Sequence, residues 1–379
     1  MTSYSRARLR IGVLNVGFVT VAAVVALVFD LPETVLSFGS SPAADAAALL
    51  TVVVLYAVAN APFDIAGGYI LPKRYGRPYP SPPTFFRRWL RGVASQSVVF
   101  VAVGFGLLHA GRTAGVAGAT GVFVTATALL LVGRTLVARL VGGISRTEEP
   151  RLDEALEGFE TLDLDPPDVT VYDAEDVSFV GEPTFSGVVA PSDWFERLDY
   201  NEVVAALARR AAAVETGSAR RGIAVAVVWN VVGFVGAATL VPGAGFVSVA
   251  ALVNLVLGYV LWSFVALLVL PTPTRAGVFE VDARTLDAGV DADTLERTVR
   301  EINETQGDDE RRNRSIETVF HPIPSVERRV ENFGDEPPVG AWKAARVRLY
   351  LSWSGLDFLS RAVHCNVGRP QLWVMLPGD

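Results

Sequence analysis

Long apolar blocks alternate with charged stretches along this chain, and the blocks set its architecture before any local periodicity is considered. Ile11 to Phe29 carries no charge and is long enough to cross a hydrocarbon core, which takes about 20 helical residues. A cleavable signal peptide would have a shorter apolar core, so this block reads as a retained span. A second block, 46–71, is interrupted only by Asn60 and Asp64. The third and fourth, 92–110 and 113–133, are separated by so few residues around Gly111 and Arg112 that they predict a helical hairpin. From Gly222 to Thr274 there is again no charged residue, and Val241-Pro242-Gly243-Ala244-Gly245 divides that run into two spans. The pattern therefore predicts a mainly α, polytopic membrane protein with about six transmembrane helices.

Between and after the blocks the period changes. Residues 144–221 open on an acidic linker with one short helix, closed by Pro166-Pro167. Val169 to Asp173 alternates as a strand, and the apolar run 186–190 predicts a second. Asp199 then caps a helix over 199–216, on which Tyr200, Val203, Val204, Leu207, Ala211 and Val214 recur at helical spacing. After the 222–274 hairpin, residues 275–335 form a second soluble part, with a solvated charged run between Asp291 and Arg314. The extension 336–379 is too apolar for a disordered end, and it predicts an amphipathic helix on the domain or bilayer surface, followed by Leu372-Trp373-Val374. The chain thus divides into a membrane region (1–143), a soluble segment (144–221), a transmembrane hairpin (222–274), a second soluble segment (275–335) and an extension (336–379).

Composition adds sidedness. Hydrophobic residues make up 51% and the mean hydropathy is +0.37, more apolar than a soluble chain of this size needs. The net charge of −7 comes from acidic residues concentrated in 147–200 and 280–336, while cations crowd the ends of the apolar blocks. Lys73, Arg74, Arg77, Arg87, Arg88 and Arg91 lie between spans two and three with no acidic residue among them, whereas the loop before span two holds Glu33 and Asp45. The positive-inside rule then puts the N-terminus and the soluble domain in the cytoplasm, with the cell membrane as the location. Trp89 and four other aromatics are interleaved with these cations, so membrane lipid is the expected partner and nucleic acid is not. Asp64, near the cytoplasmic end of its helix, is expected to snorkel, and Asn230 and Asn254 to pair across the second hairpin. The single Cys365 excludes an internal disulfide and a cysteine zinc site.

Leu198, Glu202, Val203, Ala205, Leu207 and Ala208 occupy the frame L-x-x-x-E-L-x-A-V-L-A-H-E-x-x-H. In that frame the helix resembles the active-site helix of the HtpX and CAAX prenyl protease family of membrane zinc metallopeptidases. Pro62-Phe63-Asp64, Lys73-Arg74-Tyr75-Gly76 and the run from Phe86 to Gly92 resemble the same family, as do Val278-Phe279-Glu280-Val281-Asp282 and the segment from His321-Pro322 through Arg328. The resemblance implies a small cytoplasmic α+β zincin-like domain interrupted by a helical hairpin. In the family, two histidines one turn apart and a later glutamate hold zinc, and a glutamate beside the first histidine serves as base.

This chain keeps the frame, with Glu202, Phe279, Asp282, His321, Pro322 and Arg328 as matching scaffold, and changes the chemistry. The histidine positions carry Arg209 and Ala213, the base position Arg210, and the third-ligand position Val278; Val177 stands where the family has an asparagine. A guanidinium has no lone pair to offer a metal and stays protonated. Glu280 lies two residues beyond Val278, about 200° around the helix, and points away. No two of His109, His321 and His364 have helical ligand spacing, and His364-Cys365 would diverge on a helix. No catalytic residue, zinc or other cofactor is therefore expected. The resulting expectation is a catalytically inactive pseudopeptidase that binds or regulates polypeptides or an active protease. Two alternatives stand beside it: a working metalloendopeptidase using His321, His364 and a carboxylate, and a transporter or lipid-handling protein using Asn60, Asp64, Asn230 and Asn254.

Overall fold

The computed structural model describes residues 3–37, 41–174, 179, 181–183, 187–269, 271–313, 317, 321, 323–334 and 367–373. Pro322, Val177, His364, Cys365 and the expected helix of the 336–379 extension lie outside the described residues.

Among the described residues, five helices are long and apolar enough to cross a membrane. Helix α1 (Tyr4–Val28) begins well before the uncharged block, because Ser3 caps it by accepting from Arg6 N. Its charged first turns are docked on the soluble domain: Ser3 and Ser5 donate to Asp309 and Asp308, and Arg8 donates to the Gln306 carbonyl at 3.2 Å. A short α2 (Leu31–Val35) leads to α3 (Pro42–Ile65), which runs through a π-helical turn at Ala66–Ile70 into α4 (Leu71–Arg74).

Helix α5 (Pro82–Val132) is formally one element of 51 residues but is broken at Ala114 and Gly115, where Gly115 takes φ 61° and ψ −152°. Its arms fold back on each other. Ser95 Oγ donates to Leu140 O at 3.3 Å and Arg91 donates to Gly142 O, contacts 45 and 51 residues apart that a straight helix rising 1.5 Å per residue could not make. The far turn is fastened by Arg112, which grips Asp45 with two bonds of 2.6 and 3.1 Å and reaches the Phe246 carbonyl at 3.2 Å. Helices α10 (Ser218–Leu240) and α11 (Val249–Val269) form the second hairpin. The five long helices therefore make six passes.

The polar residues Asn60, Asp64, Asn230 and Asn254 inside the bundle each have their own partners. Asn230 accepts from the Tyr259 hydroxyl and donates to Ala226 O, while Asn254 donates to Glu33 Oε1 at 2.6 Å, so the two asparagines do not pair. Asn60 donates to the Tyr56 carbonyl of its own helix. Asp64 does not snorkel. It is fully buried, accepting from Trp89 Nε1 and Gly368 N, each at 2.9 Å.

Helix α6 (Arg134–Gly142) leads into the soluble domain, where β1 (Ser145–Arg146), β2 (Asp168–Asp173), β3 (Glu182–Pro183) and β4 (Gly187–Pro191) form one sheet in the order β1-β2-β4-β3. Only β2 and β4 run parallel, with Val169 opposite Val188 and Val171 opposite Ala190. Helices α7 (Leu152–Glu157), α8 (Asp193–Arg197), α9 (Tyr200–Glu215), α12 (Pro271–Asp287), α13 (Ala292–Gln306) and α14 (Val326–Glu331) surround it. Helix α9 starts in a reciprocal cap: Asp199 Oδ1 accepts from Glu202 N at 2.8 Å and Asp199 N donates to Glu202 Oε2 at 3.1 Å. Its periodicity predicts one buried face, yet every residue from Val203 to Ala213 is buried and Tyr200 is exposed. The reason is that α9 is the central helix of the domain, touched by α7, α10, α12, α13 and the sheet.

Candidate functional site

Helices α9 and α12 pack against each other, and all four positions of the family's metal chemistry are buried in them: Arg209 and Arg210 on α9, Ala213 one turn on, and Val278 on α12. What gathers there is an ion cluster. Arg209 Nε donates to Asp282 Oδ1 at 2.6 Å. From the other side Arg329, on α14, donates Nε to Asp282 Oδ2 and a terminal nitrogen to Asp282 Oδ1, both at 2.9 Å. Three helices that are remote in sequence are thus tied through one carboxylate, and none of the three side chains is more than 6% exposed.

Burial sets the electrostatics. Desolvation pushes the Arg209 guanidinium down to about 10, helped by repulsion from Arg329 and opposed by Asp282. For Asp282, desolvation pushes its pKa upward, but the two guanidiniums outweigh it and hold the carboxyl below its ordinary value. The cluster carries two cations and one anion. Such an arrangement is held by geometry, because desolvating charges costs several kcal/mol per ion unless hydrogen bonds are satisfied.

Arg210 turns away from Asp282. It donates Nε to the Gly181 carbonyl at 3.1 Å and lies over the Trp194 ring at 5.5 Å, a cation–π contact that secures the β3 end of the sheet to α9. Glu280 sits at the rim, 3.6 Å from Arg221, on a different side of α12 from buried Val278. A second buried acid was not anticipated: Glu317 is fully buried, paired to Arg328 at 2.6 Å, and it accepts from Ser325 N at 3.2 Å. His321 is buried beside it, its backbone N–H donating to Glu317 O at 3.1 Å. Of the adjacent arginines 328 and 329, then, it is Arg329 that reaches Asp282. The signal in the sequence was the doubled arginine between Val326 and Val330, but nothing in it says which side chain faces in.

These residues do not fit zinc. The first-ligand and base positions offer guanidinium nitrogens, Ala213 and Val278 offer hydrocarbon, and both oxygens of the nearby carboxylate are engaged by arginine. Among the described residues no three His, Cys, Asp or Glu side chains gather where a metal ion could be held.

The cationic loop also departs from a simple lipid-facing surface. Lys73, Arg74, Arg87 and Arg91 are exposed, but Arg88 is buried, Trp89 is half-buried with its indole on Asp64, Arg91 bonds the Gly142 carbonyl and Arg77 lies over the Tyr4 ring. Half of the loop's polar groups bind protein because helices α1, α3 and α5 meet there.

A helical membrane region carrying a small α+β domain, interrupted by a helical hairpin and centred on the α9–α12 pair, is a membrane zincin-type fold. The crystal structure of S. mikatae Ste24p is similar to it, with a TM-score of 0.65 over 81% of this chain and 81% of that one, at 11% identity. The chain is an integral membrane protein with the Ste24p-like fold. No protein-family model matches the sequence, and no curated protein matches it.

Proposed function

We propose that this protein is a non-catalytic relative of the membrane zinc metallopeptidases, which binds polypeptides or regulates an active protease without cleaving peptide bonds. The observation that carries the reading is the Arg209–Asp282–Arg329 cluster, which holds α9, α12 and α14 together with ionic bonds in the part of the fold where the resembled family uses a metal. Metal-assisted hydrolysis needs an open coordination position and a base for the bound water, and neither residue type is at hand. A transporter reading has less support, since Asn60, Asp64, Asn230 and Asn254 are engaged at separate places. The soluble domain lies in the cytoplasm on this reading, supported by the excess of cations in the sequence at 73–91 and at the start of α1.

The test is metal content by mass spectrometry of the purified protein, combined with an assay for cleavage of an unfolded membrane substrate. Less than a tenth of an equivalent of zinc (a rough threshold for a structural site) and no chelator-sensitive cleavage are expected. Stoichiometric zinc with such cleavage would overturn the reading.

A further inference from the structure

The late segment 367–373 is buried against α3, α5 and α6, near Asp64, Gly92 and Gly142. Its seat is made of glycines from three elements. A side-chain carbon at Gly68 would lie 2.1 Å from the Gly368 carbonyl oxygen, one at Gly92 2.8 Å from Pro370, and one at Gly142 2.8 Å from the Gln371 backbone. The notches at Gly68 and Gly142 let a backbone approach, and that at Gly92 seats the Pro370 and Trp373 side chains, where any larger residue would collide. The π-helical turn at Ala66–Ile70 lies along the same seat.

The polar recognition is equally specific. Asp64, fully buried in a membrane helix, accepts the Gly368 N–H at 2.9 Å, and a buried carboxylate in such a place marks function more often than packing. Gly368 itself takes φ 67°, and a side chain there would meet the Asp64 carbonyl at 2.0 Å. Trp373 closes the segment, 2% exposed and packed on Gly92, in one cluster with Tyr172 and Val189 of the sheet. The segment does not fill its surroundings. A cavity of about 340 Å³ continues beside Gly368, Arg369 and Pro370 between the membrane region and the soluble domain, lined by both cations (Arg77, Arg88) and acids (Glu301, Glu304).

We propose that this cleft is a polypeptide-binding site, and that residues 367–373 occupy it in cis and mask it from extended segments of other chains. The seat recognises backbone through glycine notches and one carboxylate, and side chains of both charges line the adjoining cavity. The proposal rests on the reading of the protein as a polypeptide binder and names the site.

The experiment compares the full chain with its Gly368→Ala variant in detergent, adding a fluorescent peptide copying residues 362–379 and following polarisation. Release of the segment is expected to raise peptide affinity at least about tenfold, the change that 1.4 kcal/mol gives. A copy of the peptide carrying the same substitution should bind neither protein. A folded variant that takes up no more peptide than the parent overturns the proposal, as does a variant that cannot fold, because the segment is then indispensable core. Hydrogen exchange on the unaltered protein gives an independent reading: 367–373 should open faster than α9, and equal protection of the two would also overturn it. Peptide uptake by a protein that proves to contain zinc and cleave would keep the cleft and remove the non-catalytic reading. A zinc-free, inactive protein indifferent to the peptide would do the reverse.

Discussion

Asp282 bonds two buried guanidiniums at once. Replacing it by asparagine leaves two buried guanidiniums facing a neutral amide. Breaking a buried ion cluster by removing a counter-charge that two arginines share costs about 3–5 kcal/mol, so Asp282→Asn should unfold the domain at markedly lower temperature in a thermal melt followed by tryptophan fluorescence. Arg209→Met is the informative contrast. It removes the cation that desolvation and Arg329 already disfavour, and it leaves the two-bonded Arg329–Asp282 pair intact and neutral. The expected cost is smaller, within about 2 kcal/mol, and a loss as large as that of Asp282→Asn would show that Arg209 matters through packing. The same carboxylate sets an acid limit. Its folded-state pKa is lowered from the ordinary 3.8, so its stabilisation is fully present above that value and is lost as pH falls through the lower, folded one. The melting temperature should thus lose a component below pH 3.8 that Asp282→Asn lacks, other carboxylates contributing equally to both proteins.

Among the elements, the break in α5 decides the topology of the first half. Gly115 lies in a backbone region open essentially to glycine alone, and nothing crowds its missing side chain, so a substitution there tests backbone conformation and little else. Gly115→Ala should cost about 1–3 kcal/mol, read as a lower unfolding midpoint in detergent, while Gly121→Ala, helical and equally uncrowded, should cost nothing. Much of this level was legible beforehand. Membrane blocks announce themselves by uninterrupted apolar length, the Gly111–Arg112 gap predicts a hairpin whose break falls just beyond it at Ala114 and Gly115, and Asp199 with Glu202 spells out a helix start. Local rules govern all of these. What stayed hidden depends on contacts across the chain: Arg209 finds its counter-ion 73 residues away, Asp64 its partner at Gly368, and Arg88 is buried by α-helices that its own sequence neighbourhood does not contain. Periodicity also assigned α9 one apolar face, because a helix enclosed on every side by other elements still needs only small residues such as its alanines, and these carry little signal.

At the scale of the molecule, the proposed separation of fold from chemistry can be tested by reversing it. If the α9–α12 pair retains the geometry of a zincin site, the missing donors can be written back as Arg209→His, Arg210→Glu, Ala213→His and Val278→Glu in one variant. The two histidines would project from one face of α9 a single turn apart, and the glutamate would come from the facing helix. The backbone need not change for this, since all four positions are already buried on the two packed helices, and Arg329 keeps its bonds to Asp282. Removing Arg209 also removes the surplus cation that would repel a divalent ion. About one equivalent of zinc per chain is expected in the folded variant, the occupancy of a three-ligand site, with a higher melting temperature when zinc is present because a metal bound only by the native state stabilises it. A variant that folds, keeps its exchange protection in α9 and still binds no zinc would mean that the likeness to Ste24p stops short of the site, leaving the ion cluster without a metal-binding ancestor in its place.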